Sequence, residues 1–278
     1  MPVFSILSLE RKFMFPSFEL FGKTISMYMI CAIVGILAVL LLTYKLAIKN
    51  KLDEFNMLFM MLFSFGGVVV FSHILYAFTV PKMVVGVFSN LDKIKNFDDF
   101  IYAFNVVFGG SVFYGGLIGA IFVFFLYTKV KKLNFGDYSD IGAMAIPLFH
   151  FFGRIGCFLS GCCYGVEWEH GITYHNALVE SANGVPRFPV QLVEAVLNLL
   201  LFLLLFYLYK KGKANHKILA LYLLIYPVYR FILEFFRGDS YRGFLFGLST
   251  SQIISVILFA CAVVSLIVMG VKEKKKVN

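Results

Sequence analysis

The sequence predicts an all-α polytopic membrane protein with seven transmembrane helices, N-terminus outside and C-terminus cytoplasmic. Three observations carry that prediction. Of the 278 residues, 60% are hydrophobic and only 15% are charged, which is more apolar surface than a soluble domain of this size can hide. The apolar residues form continuous runs of about 20, the length of a helix that crosses the hydrocarbon, rather than the alternation of a barrel strand. The lysines between the runs gather in every second loop.

Residues 1–24, with Pro16 and Gly22, read as an interfacial lead-in on the membrane surface. Spans are expected at about 25–44, 57–80, 106–128, 139–160, 190–209, 216–236 and 249–271. Segment 83–90 is apolar but too short to cross, and at most dips into the interface. No cleavable signal peptide is recognised, because no basic start is followed by a short apolar run and a small-residue cleavage site. Lys45, Lys49 and Lys51 follow the first span, and Lys129, Lys131 and Lys132 the third. Lys210, Lys211, Lys213 and Lys217 follow the fifth, and Lys272, Lys274, Lys275 and Lys276 the seventh. The alternate loops carry mixed charge, so the positive-inside rule sets the orientation. The expected organisation is one membrane-embedded domain over 1–278, with a small extracytoplasmic segment at about 161–189. The net charge of +9 does not point to nucleic acid, since it lies in short loops and not on one polar face.

The stretch from His150 to Gly165 holds the chemistry. Arg154 stands between Gly153 and Gly156 where the fourth span ends, and a charge at bilayer depth costs about 2.5–3.5 kcal/mol on insertion scales. Cys157, Cys162 and Cys163 follow it. With a histidine they could ligate zinc, but the spacing is not Cys-x-x-Cys. A disulfide on the oxidising face, a reactive thiol near Arg154 and plain packing are the other readings, and packing is the simplest. Cys31 and Cys261 sit in apolar runs as core thiols. No metal and no cofactor is expected.

The sixth span contains Tyr226, Arg230 and Glu234 at intervals of four, with Arg237 three further, which is one helix face. Arg230 and Glu234 can pair, and Arg154 and Arg237 then leave positive charge in excess. Arginines facing one intramembrane cavity suit a phosphate, because the guanidinium fork matches its oxygens. In a bilayer the available phosphate is a phospholipid headgroup. The fifth span opens with Pro189, Gln191 and Glu194, whose polar groups complete a cavity or simply meet the interface. In the third span, Gly115, Gly116 and Gly119 suit close helix packing, and Tyr114 among them can present a hydroxyl to a cavity. His73 and His150 read as helix–helix hydrogen-bonding groups.

Together these residues resemble the bacterial prolipoprotein diacylglyceryl transferases. The likeness is carried by Pro16, Gly22, Tyr28 and Gly35; by Phe113-Tyr114-Gly-Gly-Leu-Ile-Gly119; by Asp140, Pro147 and Gly153-Arg154-Ile-Gly156; by Pro189, Gln191, Leu192 and Glu194; and by Tyr226, Arg230 and Glu234-Phe-Phe-Arg237. The resemblance implies transfer of the diacylglyceryl group of phosphatidylglycerol, or another anionic phospholipid, to the lipobox cysteine of a prolipoprotein signal peptide, in the cytoplasmic membrane of a bacterium. It implies catalytic roles for Tyr114, Arg154, Arg230 and Glu234. It implies substrate contacts from Tyr28, Gly115, Gly116, Gly156, Cys157, Cys162, Gln191, Tyr226 and Arg237. Two departures stand out. Where the family usually has histidine before Gly-Gly-Leu, this chain has Tyr114, and where its signature continues with Asn and Asn-Gly-Glu, this chain has Cys157 and Ser160-Gly161-Cys162. Tyrosine is a poor base at neutral pH, so either an arginine activates it, or the role has moved, or the chain is a divergent paralogue with another acceptor or a thiol chemistry. A non-catalytic phospholipid-binding protein is the remaining alternative.

Overall fold

The computed structural model describes residues 16–239, 244–245 and 247–277; residues 1–15 of the expected interfacial lead-in lie outside the described residues. Nine helices run in chain order among the described residues: α1 (Met27–Lys49), α2 (Glu54–Thr79), α3 (Pro81–Phe88), α4 (Phe97–Phe108), α5 (Phe113–Val130), α6 (Phe135–Ser160), α7 (Val190–Lys210), α8 (Ile218–Leu233) and α9 (Thr250–Val277). All but α3 and α4 are long and apolar enough to cross a membrane. The fold is therefore all-α and polytopic, with seven such helices. Large apolar side chains such as Leu37, Phe63 and Ile267 cover the outside, the side that meets lipid rather than water.

Three two-stranded hairpins complete the chain: β1 (Ser17–Leu20) with β2 (Lys23–Ser26), β3 (Glu167–Thr173) with β4 (Pro186–Arg187), and β5 (Phe244–Leu245) with β6 (Leu248–Ser249). Phe21 and Gly22 turn the first hairpin with φ of 50° and 71°, the left-handed pair that suits a two-residue turn. Residues 16–26 of the lead-in thus form a hairpin leading straight into α1.

The third span is shorter than the apolar run suggests. It begins at Phe113 rather than at about 106, because the chain breaks at Gly109-Gly110 after α4. Asn96 caps α4 by accepting from Asp99 N at 2.8 Å, and Asp98 and Asp99 suit its positive end. The break is pinned to α2, where Val112 N donates to Ser72 O at 3.1 Å and His73 Nδ1 lies 2.7 Å from Gly110 O. Phe97, Phe100, Phe104 and Phe108 make successive ring contacts along one side of α4, so its apolarity is that of a short surface helix.

Tyr138 Oη of α6 accepts from Asp53 N at 3.1 Å, at the start of α2. Asp140 accepts from His216 N at 2.6 Å and Ile218 N at 3.1 Å, holding the start of α8. The starts of α2, α6 and α8 therefore meet at one end of the bundle, which collects the lysine loops. Glycines let α2 and α5 touch: a Cβ on Gly115 would stand 2.4 Å from Phe71 O, and one on Gly119 2.4 Å from Gly67 O. These glycines are packing residues, as small side chains in membrane helices commonly are.

Candidate functional site

At the end of the bundle opposite the lysine loops, three helices bring charge to one point. Arg154 (α6) donates from Nη2 to Glu194 (α7), 2.9 Å from Oε2 and 3.0 Å from Oε1. Arg230 (α8) has Nε 3.9 Å from Glu194 Oε1 and Nη2 2.6 Å from a Glu234 oxygen. All four side chains are buried. One carboxylate thus bridges two guanidinium groups from different helices, which offsets much of the cost of burying them.

His150, one turn before Arg154, accepts from Arg154 Nε at 3.2 Å through Nε2. The ring also has Asn198 as a side-chain hydrogen-bonding partner. Arg230 Nη1 is buried and without a partner among the described residues. A buried guanidinium donor is left over beside the carboxylates, although buried donors are nearly always satisfied. A guanidinium offers five N–H groups, and the carboxylates engage only some of them. What remains is a set of donors arranged for an anion.

Arg237 reaches the same place by a different route from the one its spacing suggests. The helix α8 stops at Leu233, residues Glu234–Phe236 form a tighter turn, and Arg237 is extended with φ −86° and ψ 134°. It is therefore not on the face of Tyr226 and Arg230. It is held by backbone: Val166 N donates to Phe236 O and Gly238 N to Tyr164 O, both at 3.0 Å. Only glycine fits at Gly238, where a Cβ would come within 2.4 Å of Gly165 O. Arg237 Nε donates to Asp239 Oδ1 at 2.9 Å, so the excess positive charge expected of this arginine is matched two residues on.

The segment after α6 packs beneath Arg237. Gly161 ends the helix with φ 69°, a common helix stop. Gln191 fixes the next residue by donating to Cys162 O at 2.8 Å while accepting from Tyr174 Oη at 3.0 Å. Burial pushes the Tyr174 hydroxyl up to about 12, which keeps it a neutral donor. Hydrogen bonds from Cys157 and Cys162 hold the Cys163 thiol well below its ordinary range, and Arg237 and Arg154 act in the same sense against burial.

A cavity of about 550 Å³ opens beside these groups. Tyr28, His150, Arg154, Cys157, Cys163, Arg230, Arg237 and Asp239 line its charged end. Met61, Phe65, Val68, Leu117, Phe124 and Phe149 line much of the rest, with Ser64, Ser72 and Ser139 among them. Its α6 wall extends from Phe135 to Cys157, about 33 Å at 1.5 Å per residue. The cavity therefore joins a charged end to a long wall that runs through most of a hydrocarbon core about 30 Å thick.

Of the residues expected from sequence, Tyr28, Tyr114, Gly116, Arg154, Cys157, Arg230 and Arg237 are on the cavity wall. Six others are not. Gly115 packs α5 on α2, and Gly156 packs α6 against Tyr28 and Cys31 of α1. Gln191 and Cys162 brace the turn after α6. Tyr226 lies within the aromatic packing beneath the arginines, its ring 5.5 Å from His150 and 5.4 Å from Tyr222. Glu234 holds Arg230. Tyr114 sits on the wall, but its hydroxyl points to Ser255 Oγ at 2.5 Å. Ser255 donates to Ser251 O at 2.7 Å, and Ser251 Oγ is 3.4 Å from Arg230 Nη2. Sequence reasoning missed Asp239, Ser251, Ser255 and Asn198. Asn198 had a signal, because Gln191, Glu194 and Asn198 form a polar stripe at helical spacing; it accepts from Tyr229 Oη at 3.0 Å.

The profile of the prolipoprotein diacylglyceryl transferases matches residues 16–268. A phosphatidylglycerol–prolipoprotein diacylglyceryl transferase of Clostridium tetani is 32% identical over 241 residues, covering 86% of this chain and 91% of the relative. A second so named, from Clostridium perfringens, is 30% identical over 260 residues, covering 93% and 96%. One from Idiomarina loihiensis is 36% identical over 186 residues, covering 64% and 66%. With the match covering six of the seven long apolar helices and most of the seventh, the chain belongs to the prolipoprotein diacylglyceryl transferase family and is a multi-pass membrane protein.

Proposed function

We propose that this chain transfers the diacylglyceryl group of phosphatidylglycerol to the thiol of a lipobox cysteine in a prolipoprotein signal peptide, at the outer face of a bacterial cytoplasmic membrane. The observation that carries the reading is the meeting of Arg154 and Arg230 on Glu194 at the charged end of a long, largely apolar cavity. The relatives' names supply the donor and the acceptor. The lysine loops, gathered at the opposite end, support an outward-facing site by the positive-inside rule.

In this reading the acyl chains lie in the apolar trough and the phosphate meets Arg154, Arg230 and Arg237. The acceptor thiol loses its proton to water, its sulfur attacks the glyceryl carbon, the carbon–oxygen bond to phosphate breaks, and glycerol phosphate leaves with the electron pair. The arginines act where that charge grows. Glu194 and Glu234 keep the guanidinium groups in place, and Tyr114 supports Arg230 through Ser255 and Ser251. The reading is tested in cells depleted of their own enzyme, by expressing this chain with a reporter lipoprotein. Lipidation of the reporter is the expected result; an inserted protein with an unmodified reporter rejects the activity.

A further inference from the structure

Cys157, Cys162 and Cys163 form the one group of three or more potential metal ligands of its kind among the described residues, with their Sγ atoms all within 4.8 Å of one another. Backbone geometry brings them together. Cys162 N returns to Cys157 O at 3.1 Å, and Cys163 then adopts φ 56°, a left-handed conformation uncommon for a residue with a side chain. The turn is held from outside by Gln191 on Cys162 O and by Leu178 N on Ser160 O at 2.9 Å. None of the three thiols is in a disulfide.

A divalent cation held by three thiolates at about 2.3 Å sets the sulfurs about 4 Å apart, so the trio needs to close by less than about 1 Å to ligate. Thiolates select zinc and similar soft cations over magnesium or calcium. Arg154, three residues before Cys157, and Arg237 lower the cost of gathering the negative sulfurs. Three protein ligands leave a tetrahedral site one open position, as catalytic rather than structural zinc sites have. Cys157 and Cys163 lie on the cavity wall with Arg154 and Arg237, so that position faces the end where the phosphate is held.

We propose that Cys157, Cys162 and Cys163 bind a zinc-like divalent cation whose open position takes the sulfur of the acceptor cysteine. This rests on the transferase reading above. A thiol that coordinates such a cation is deprotonated, and its proton passes to water at the cavity mouth. The sulfur then uses its electron pair to form the bond to the glyceryl carbon, while the carbon–oxygen pair departs with glycerol phosphate. The thioether product is an uncharged, weaker ligand and leaves. The site supplies an activated thiol in a chain whose Tyr114 hydroxyl is engaged with Ser255.

The test uses the full chain purified in detergent, with Co²⁺ as the probe. One Co²⁺ per chain with thiolate-to-cobalt charge-transfer absorption is expected. A peptide bearing the lipobox cysteine should shift that spectrum with no phospholipid present, and the same peptide with Cys→Ser should not. Cys162→Ser, off the cavity wall, should weaken Co²⁺ binding and reduce the charge-transfer band without changing the melting temperature of the metal-free protein. A wild-type chain with no charge-transfer band, or one whose mass shows a disulfide within the trio, overturns the site. A band indifferent to the cysteine peptide overturns the acceptor role. Since these readouts need no turnover, a metal and peptide response without reporter lipidation would reject the transferase reading and retain the metal site.

Discussion

Glu194 Oε2 lies 2.9 Å from Arg154 Nη2, and Oε1 of the same carboxylate is 3.9 Å from Arg230 Nε. A single side chain on α7 thereby links α6 to α8 inside the bundle. Removing it leaves buried Arg154 without its carboxylate and Arg230 with Glu234 alone. Glu194→Gln should cost about 3–5 kcal/mol, the usual penalty for breaking a buried pair, and lower the melting temperature in detergent. An unchanged melting temperature would mean that the link is not structural.

Arg154→Lys keeps the charge and loses the fork. Lysine cannot bridge Glu194, reach His150 and present further donors at once. The expected loss in kcat/KM is about 100-fold or more, with the protein still inserted and folded. A variant of near-normal activity would remove Arg154 from phosphate recognition.

Tyr114 and Ser255 should behave as one unit. Their hydroxyl groups share a hydrogen bond at 2.5 Å, and the path continues to Arg230. Tyr114→Phe and Ser255→Ala are each expected to reduce activity by the worth of one hydrogen bond, about 0.5–1.5 kcal/mol. The double variant should be little worse than either single one. A base would behave differently: Tyr114→Phe alone would then reduce the rate about 10²–10⁴-fold, with Ser255→Ala nearly silent.

Glycine contacts give a stability test remote from the chemistry. Gly115→Ala places a Cβ 2.4 Å from Phe71 O, whereas Gly66→Ala meets nothing within 4 Å. The first should destabilise by about 1–3 kcal/mol and the second should be neutral or better. Equal melting temperatures for the two would contradict the close packing of α2 on α5.

The seven crossings were legible because continuous apolar runs of that length have few other structures open to them. The start of the third was not. The span expected at about 106–128 runs through Gly109-Gly110, and Phe97, Phe100, Phe104 and Phe108, in ring contact along one side, belong to a surface helix that ends at Phe108. Arg154 and Arg230 were legible as charges too costly to keep without a purpose. Their common partner was not, because helical spacing relates residues on one helix, and Glu194 meets the arginines across three. Arg237 was placed on the wrong element, since its interval of three from Glu234 continues a helix that the chain abandons at Leu233. The cysteine spacing hid a cluster that depends on left-handed backbone at Gly161 and Cys163.

The central claim is that Arg154 and Arg230 hold a phospholipid phosphate while a thiol displaces it. It is tested most directly by incubating the purified chain with phosphatidylglycerol labelled in its glycerol headgroup and a lipobox peptide. Labelled glycerol phosphate and diacylglyceryl-peptide should appear in equal amounts, fall about 100-fold with Arg154→Lys, and vanish with a Cys→Ser peptide. Release of headgroup that ignores the peptide cysteine, or a lipid left intact by a folded protein, would contradict it.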